Sequence, residues 1–286
     1  MKVLNSVERY YQRKRKRKKR AKVVFFGLLF VLMIITLAIL SMTVFFNAET
    51  ILVEGNTRYT AEELLETGGL TVGQNLFRLD KFEVIDQMET LPYVKSVTIK
   101  RKLPNTLTVK VVENQPVVWI ATETGAALLN EEYRVLEFVE LPVSEMPAEE
   151  ESGEEATEEG EEAEAVEETS PVAGVPQLTQ IIATDLVVGQ TALFGEADYT
   201  GFLKRLYDGF LGQSELSWQK VQEVQFFARY DIQLLYDERI TIDFGTLDQT
   251  ETKIELAAYL LKDNGYSQTA TVDVSDTERV YYRPKK

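Results

Sequence analysis

The chain has 286 residues, 31 Lys and Arg against 46 Asp and Glu, and a formal net charge of −15. It holds no cysteine and no histidine, which excludes a disulfide framework, zinc centres built on those ligands, and catalysis by Cys-His or Ser-His pairs. Residues 1–22 carry eleven basic residues and one acidic one, net +10, so the remainder is −25 and is repelled by nucleic acid and by anionic membrane surfaces.

The first element is a run of twenty-six residues without a charge, Val23 to Ala48, lying between Lys22 and Glu49. About 20 apolar residues suffice to cross a bilayer core as a helix, so the run predicts one transmembrane span and a lipid bilayer as the first partner. Before it, Arg13, Lys14, Arg15, Lys16, Arg17, Lys18, Lys19, Arg20 and Lys22 form a basic block interrupted only by Ala21. Such a block is retained in the cytoplasm, which makes residues 1–22 a cytoplasmic tail and sets residues 49–286 outside the membrane. The same block could signal nucleic-acid binding, but beside a span it reads as a topology signal that attracts anionic lipid. A cleaved signal peptide fits poorly, because the apolar run is too long and no A-x-A-like site follows it.

Beyond the span, Ile51-Leu52-Val53 reads as a strand that ends at Gly55-Asn56. Thr60 to Glu63 forms a capping box with Tyr59 and Leu64 as staple, opening a short helix that stops at Gly68-Gly69. Asp80 to Glu83 repeats the device with Leu79 and Val84, and the second helix is expected to set Phe82, Ile85 and Met88 on one side before Leu91-Pro92. Val94 to Arg101 and Leu107 to Glu113 alternate with period two around Pro104-Asn105, giving two strands. The order is β-α-α-β-β.

The segments ILVEGNTRYTAEELLETGGLTVGQNLFRLD and LPYVKSVTIKRKLPNTLTVKVVENQPV resemble the POTRA domain of the FtsQ/DivIB bacterial cell-division family. The motifs that carry this are V-x-GN after the span, G-x-NLF-x-LD between the helices, LP-x-V-x-x-V, R-x-LP-x-TL and the departing E-x-x-P. The resemblance sets a POTRA domain at residues 49–115 and the start of a second, β-rich domain at 116–143, where ALLNEEYRVLEF resembles a family strand-turn-strand segment. Val117 to Ala121 and Ala127 to Asn130 read as strands there.

From Glu145 to Glu168, thirteen of twenty-four residues are Glu and none is aromatic, so residues 144–170 are expected to be a disordered insertion. Calcium binding by this run is not expected, since a hard cation needs oxygens at fixed positions. The β domain resumes over 171–286. Asp198 to Gly212 predicts an amphipathic helix with Phe202, Leu203, Leu206, Tyr207, Phe210 and Leu211 on one face. Val221 to Phe227 reads as a strand, and Ile232-Leu234-Tyr236 with Ile240-Ile242-Phe244 as a hairpin around Asp237-Glu238. Thr252 to Glu255 predicts a capped helix that ends at Asn264-Gly265, and a last hairpin joins Ala270-Val272-Val274 to Val280-Tyr282 through Ser275-Asp276-Thr277. ITIDFGTLDQTETKIELAAYLL and ATVDVSDTERVYYRP resemble the closing part of the same family. The fold class expected is α+β: a single-pass membrane helix, a POTRA domain, and a β-rich domain with flanking helices.

Chemistry is sparse. Ser217-Trp218-Gln219-Lys220 fits S-x-x-K and Ser275-Asp276-Thr277 resembles S-D-N, but no K-T-G follows, so a penicillin-binding acyltransferase is not expected. Asp237, Glu238 and Asp273 supply carboxylates of the kind a glycosidase needs, at positions where turns and strand faces also want polar groups. No catalytic residue, metal site or cofactor is assigned. The terminal strand, Glu278 to Arg283, is read two ways: it closes the sheet, or its edge pairs with another chain.

The resemblance implies the second, since in the family the last strand and nearby helix receive FtsB/DivIC-like bitopic proteins, which act with FtsL-like ones. The partner-binding residues it implies are Arg279, Val280, Tyr281, Tyr282 and Arg283, flanked by Glu255 and Tyr259. It further implies a POTRA domain that docks other divisome proteins, location at the division septum, and a non-enzymatic scaffold that helps control septal peptidoglycan synthesis. The alternatives are a POTRA-bearing secretion or outer-membrane assembly component, for which repeated POTRA units or a barrel are wanting, and a membrane-anchored cell-wall hydrolase.

Overall fold

The computed structural model describes residues 22–37, 39–41, 45–141, 171–184, 186–194, 199, 201–228, 231–264 and 269–285. The basic block at Arg13 to Arg20 and the Glu-rich stretch from Glu145 to Glu168 lie outside the described residues, as do Asp198 and Gly265. The fold is α+β: an N-terminal apolar helix, a small unit with a three-stranded sheet, and a large β-rich unit with few helices.

Helix α1, Lys22–Ser41, is long and apolar enough to cross a membrane by length and composition. Its Thr36 hydroxyl donates back to the Leu32 carbonyl at 2.9 Å, so this polar group is satisfied within the helix.

The first compact unit takes in Met1–Met88 and Ser96–Val112. Strand β1 (Thr50–Glu54) runs parallel to β3 (Thr106–Glu113), which lies between β1 and β2 (Val94–Lys102). Helices α2 (Ala61–Thr67) and α3 (Lys81–Met88) follow β1. The capping box of α2 is complete: Thr60 Oγ1 accepts from the Glu63 N–H at 3.2 Å and the Glu63 carboxylate accepts from the Thr60 N–H at 2.8 Å. Asp80 caps α3, accepting from the Phe82 N–H at 3.0 Å. The buried face of α3 is only partly the expected one. Phe82 is 78% exposed, while Val84 and Met88 are buried. The reason is packing: Met88 Cε reaches Gly68, where an added Cβ would stand only 2.5 Å away, so the face turned inward is set by the close approach to the end of α2.

The second unit takes in Glu89–Lys95 and Glu113–Lys286. Nine strands form one sheet in the order β12-β11-β10-β9-β8-β7-β4-β5-β6. They are β4 (Val118–Thr122), β5 (Gly125–Leu129), β6 (Val135–Val139), β7 (Gln177–Thr179), β8 (Val221–Ala228), β9 (Asp231–Tyr236), β10 (Ile240–Gly245), β11 (Ala270–Asp273) and β12 (Tyr281–Pro284). Pairs joined by short turns are antiparallel, whereas β4-β7, β7-β8 and β10-β11 are parallel. The short strand β7 was not read from the sequence: three residues carry too little alternation to mark it, yet it bridges the two halves of the sheet.

One face of this sheet is closed by α4 (Phe202–Leu211) and α5 (Thr250–Asn264). The alternating residues Ile232, Leu234, Tyr236, Ile240, Ile242 and Phe244 are all buried in the core. Phe202, Leu203, Leu206 and Phe210 of α4 pack there, but Leu211 is 63% exposed because it lies past the inward stripe. Gly209 lets the helices approach, since a Cβ there would meet Ile254 Cδ1 at 2.3 Å. Trp218 packs edge-on to Tyr207 and Phe210, each at 5.4 Å, and its Nε1 donates to the Val117 carbonyl at 3.0 Å.

Candidate functional site

The expected partner site is the terminal hairpin and its neighbouring helix. Strand β11 runs parallel to β10 and is connected to it through α5, while β12 pairs antiparallel with β11 in the register Thr271↔Arg283, Val272↔Tyr282 and Asp273↔Tyr281. Strand β12 is thereby an edge of the sheet. It is shorter at its start than expected, beginning at Tyr281 rather than Glu278. Asp276 takes the preceding residues into a turn, its Oδ1 accepting from the Glu278 N–H at 2.9 Å and its carbonyl from the Arg279 N–H at 3.1 Å. Arg279 and Val280 therefore precede the strand.

Residues of an antiparallel pair turn their backbone groups alternately toward and away from the partner strand. The Lys285 N–H donates to the Thr269 carbonyl at 2.7 Å, so in this register Arg283 and Tyr281 face β11 and the N–H and C=O of Tyr282 point out of the sheet, as does the Pro284 carbonyl. The side chains alternate as well. Val280 and Tyr282 are half-buried against the core, and the Tyr282 hydroxyl is buried without a hydrogen-bond partner among the described residues. On the other face, Arg283 stacks over the exposed Tyr281 ring at 5.1 Å and its guanidinium is 3.6 Å from Asp273.

Helix α5 starts at Thr250, so Thr252 is inside the helix rather than its cap. The earlier start follows from Lys253, which sequence reasoning treated as part of a cap. Its ammonium is buried and donates to the Phe244 carbonyl at 2.8 Å, the Thr246 carbonyl at 2.9 Å and Thr246 Oγ1 at 3.2 Å. All three donors are satisfied, which offsets the cost of burying the charge, and burial lowers the lysine's pKa. This pins the first turn of α5 to the end of β10. The Thr277 hydroxyl adds a tie to Gln249 at 2.7 Å. Glu255 and Tyr259, one turn apart, lie exposed on α5, with Tyr259 63% accessible. The structure thus gathers Val280 to Arg283 along one edge and keeps Glu255 and Tyr259 on the outer side of the helix that packs beneath it.

The residues weighed for catalysis have other partners. Lys220 sits 3.3 Å from Asp237, and Arg239 also binds that carboxylate, holding its pKa below the ordinary value. Asp237 and Glu238 form the β9-β10 turn with φ of 52° and 60°, and Asp273 accepts from Ser275 Oγ at 2.7 Å.

The described residues thus comprise an apolar helix, a β-α-α-β-β unit and a nine-stranded sheet with β12 at its edge. The family model for the FtsQ-type POTRA domain matches residues 46–114. Among curated proteins, the chain is 40% identical over 80 residues to the cell division protein FtsQ of Corynebacterium glutamicum, covering 28% of this chain and 36% of that one. It is 30% identical over 137 residues to the cell division protein DivIB of Clostridium botulinum (strain Hall), covering 48% and 52%, and 35% identical over 72 residues to FtsQ of Syntrophotalea carbinolica, covering 25% and 26%. The matches span about half of these relatives' length or less. Together the POTRA match and these relatives support membership of the FtsQ/DivIB family of cell division proteins.

Proposed function

We propose that this chain is a non-catalytic scaffold of the bacterial divisome, held by α1 as a single-pass anchor with its basic tail in the cytoplasm and both units outside, at the division septum. The observation that carries the reading is the β12 edge, whose Tyr282 N–H and C=O point out of the sheet. A strand from an FtsB/DivIC-like partner adds there by backbone pairing, with side-chain specificity from Val280, Tyr282, Arg283 and the flanking Glu255 and Tyr259. FtsL-like proteins act with that partner, and the POTRA domain docks other division proteins. Two binding surfaces on one anchored chain raise the effective concentration of their partners, which helps control septal peptidoglycan synthesis.

The test is binding of the full chain, reconstituted in bilayer discs, to the outer segment of a DivIC/FtsB-like protein from the same cell. Saturable binding that is lost in a folded Val280→Asp, Tyr282→Asp variant is the expected result. Binding retained by that variant moves the site elsewhere, and no binding by the parent chain removes the reading.

A further inference from the structure

The link between α2 and α3 is poor in charge. From Gly68 to Leu79 there is no acidic residue, and Arg78 is the single charge, in a chain whose part beyond residue 22 is −25. Two of its polar side chains bond within the same neighbourhood: Gln74 Nε2 donates to the Gly69 carbonyl at 2.8 Å and Asn75 Nδ2 to Asn47 Oδ1 at 3.2 Å. Part of its backbone is satisfied by the segment that follows α1. The Gly73 N–H donates to the Ala48 carbonyl and the Leu76 N–H to the Phe46 carbonyl, both at 2.8 Å, and the Phe77 N–H reaches Asn75 Oδ1 at 3.0 Å. Its exposed side chains include Val72 at 69% and Phe77 at 45%, and Phe45, next to Phe46 in the chain, is 70% exposed. Phe46 and Phe77 pack edge to face at 5.0 Å.

Chain length sets where this patch sits if α1 spans a bilayer. A hydrocarbon core takes about 20 helical residues, and the apolar run that begins at Val23 ends at Phe46, so Phe46 falls at the membrane surface. Phe77 is in contact with it.

We infer that Phe45, Val72 and Phe77 form a wedge that lies in the interfacial layer of the bilayer spanned by α1. The inference rests on the membrane reading of α1. Exposed apolar side chains, a backbone partly satisfied by its own neighbours and no carboxylate between Gly68 and Leu79 suit the loop to the hydrated interfacial layer beside anionic head groups, and Arg78 adds a charge of the favourable sign. The wedge holds the first unit against the membrane in addition to the covalent tether.

The test uses the full chain in phosphatidylcholine–phosphatidylglycerol vesicles and lipids brominated at shallow or deep acyl positions. Three variants each add one tryptophan: Phe77→Trp keeps the aromatic wedge, Phe82→Trp marks an exposed apolar site on α3, and Ile35→Trp marks the middle of the apolar run from Val23 to Phe46. The parent's Trp119 and Trp218 supply the baseline to subtract. The expected result is strong quenching of Phe77→Trp by shallow bromines with a blue-shifted emission, quenching of Ile35→Trp by deep bromines, and none at Phe82→Trp. Phe77→Trp as unquenched as Phe82→Trp, with Ile35→Trp quenched, overturns the wedge and leaves the span standing. Ile35→Trp left unquenched by the deep bromines overturns the span and the wedge with it.

Discussion

The two edges of the nine-stranded sheet differ in one respect that bears on function. Strand β6 is covered where it begins: the Val135 N–H donates to the Gln190 carbonyl at 2.8 Å, and the Gly189 N–H returns a bond to the Val135 carbonyl at 2.8 Å. A connecting segment thus blunts that edge, as sheets that must not pair with other chains commonly do. Strand β12 has no such cover among the described residues, and its Tyr282 backbone groups face outward. The comparison teaches that, among the described residues, the start of β6 is covered by a connecting segment while Tyr282 of β12 faces outward.

The largest expected effect falls on what both edges share. Phe202 is fully buried between α4 and the sheet and packs edge-on to Phe226 at 5.9 Å, so Phe202→Ala is expected to cost about 3–5 kcal/mol in a urea or thermal melt. A cost at the level of a surface substitution would show that α4 does not hold the sheet.

Proline then separates the edges. Val135→Pro deletes a donor to Gln190 at a buried residue and is expected to cost about 1–3 kcal/mol of stability. Tyr282→Pro deletes an outward donor, which a sheet edge tolerates. Its expected effect is on partner binding, weakened at least about tenfold, or about 1.4 kcal/mol, while Tyr282→Leu, which keeps the N–H, binds better than the proline variant. Equal losses of stability at the two positions would erase the distinction.

The ion pair between exposed Lys95 and buried Glu131 adds a pH dependence. Burial alone would raise the Glu131 carboxyl, but the hydrogen bond from Lys95 and the nearby charge of Lys204, 3.8 Å away, carry its pKa below the ordinary value. A carboxyl depressed in the folded state contributes stability at neutral pH that is lost as pH falls through the ordinary carboxylate range toward the folded value. Melting temperature against pH should therefore fall less steeply on the acid side in Glu131→Gln than in the parent. Parallel profiles would contradict this.

The smallest effect is at Tyr282 itself. Its hydroxyl is buried without a partner among the described residues, so Tyr282→Phe should leave stability unchanged or raise it by up to about 1 kcal/mol. A clear loss would mean that the hydroxyl is satisfied in solution.

Local chemistry was readable from residues alone, and long-range pairing was not. The Thr60 capping box, the Asp237-Glu238 turn and the alternation of β9 and β10 all follow from neighbours a few positions apart, and each stands as expected. Strand β7 depends on β4 and β8, more than forty residues distant on either side, and leaves no local mark. Phe82 was expected on one side of α3 with Ile85 and Met88; Met88 is buried, but it packs on Gly68 together with Val84, and Phe82 is left exposed. At the candidate site, the alternation of Val280 and Tyr282 could be read, whereas the edge position of β12, its start at Tyr281 and the anchoring of α5 by Lys253 required the assembled sheet.

The most direct measurement of the account is amide hydrogen exchange of the full chain in bilayer discs, with and without the outer segment of a DivIC/FtsB-like partner. The Tyr282 amide should exchange fast alone and become protected on binding, while the Val135 amide is protected in both states. A Tyr282 amide that is already protected alone, or that gains no protection when the partner binds, would contradict the open edge as the site of strand addition.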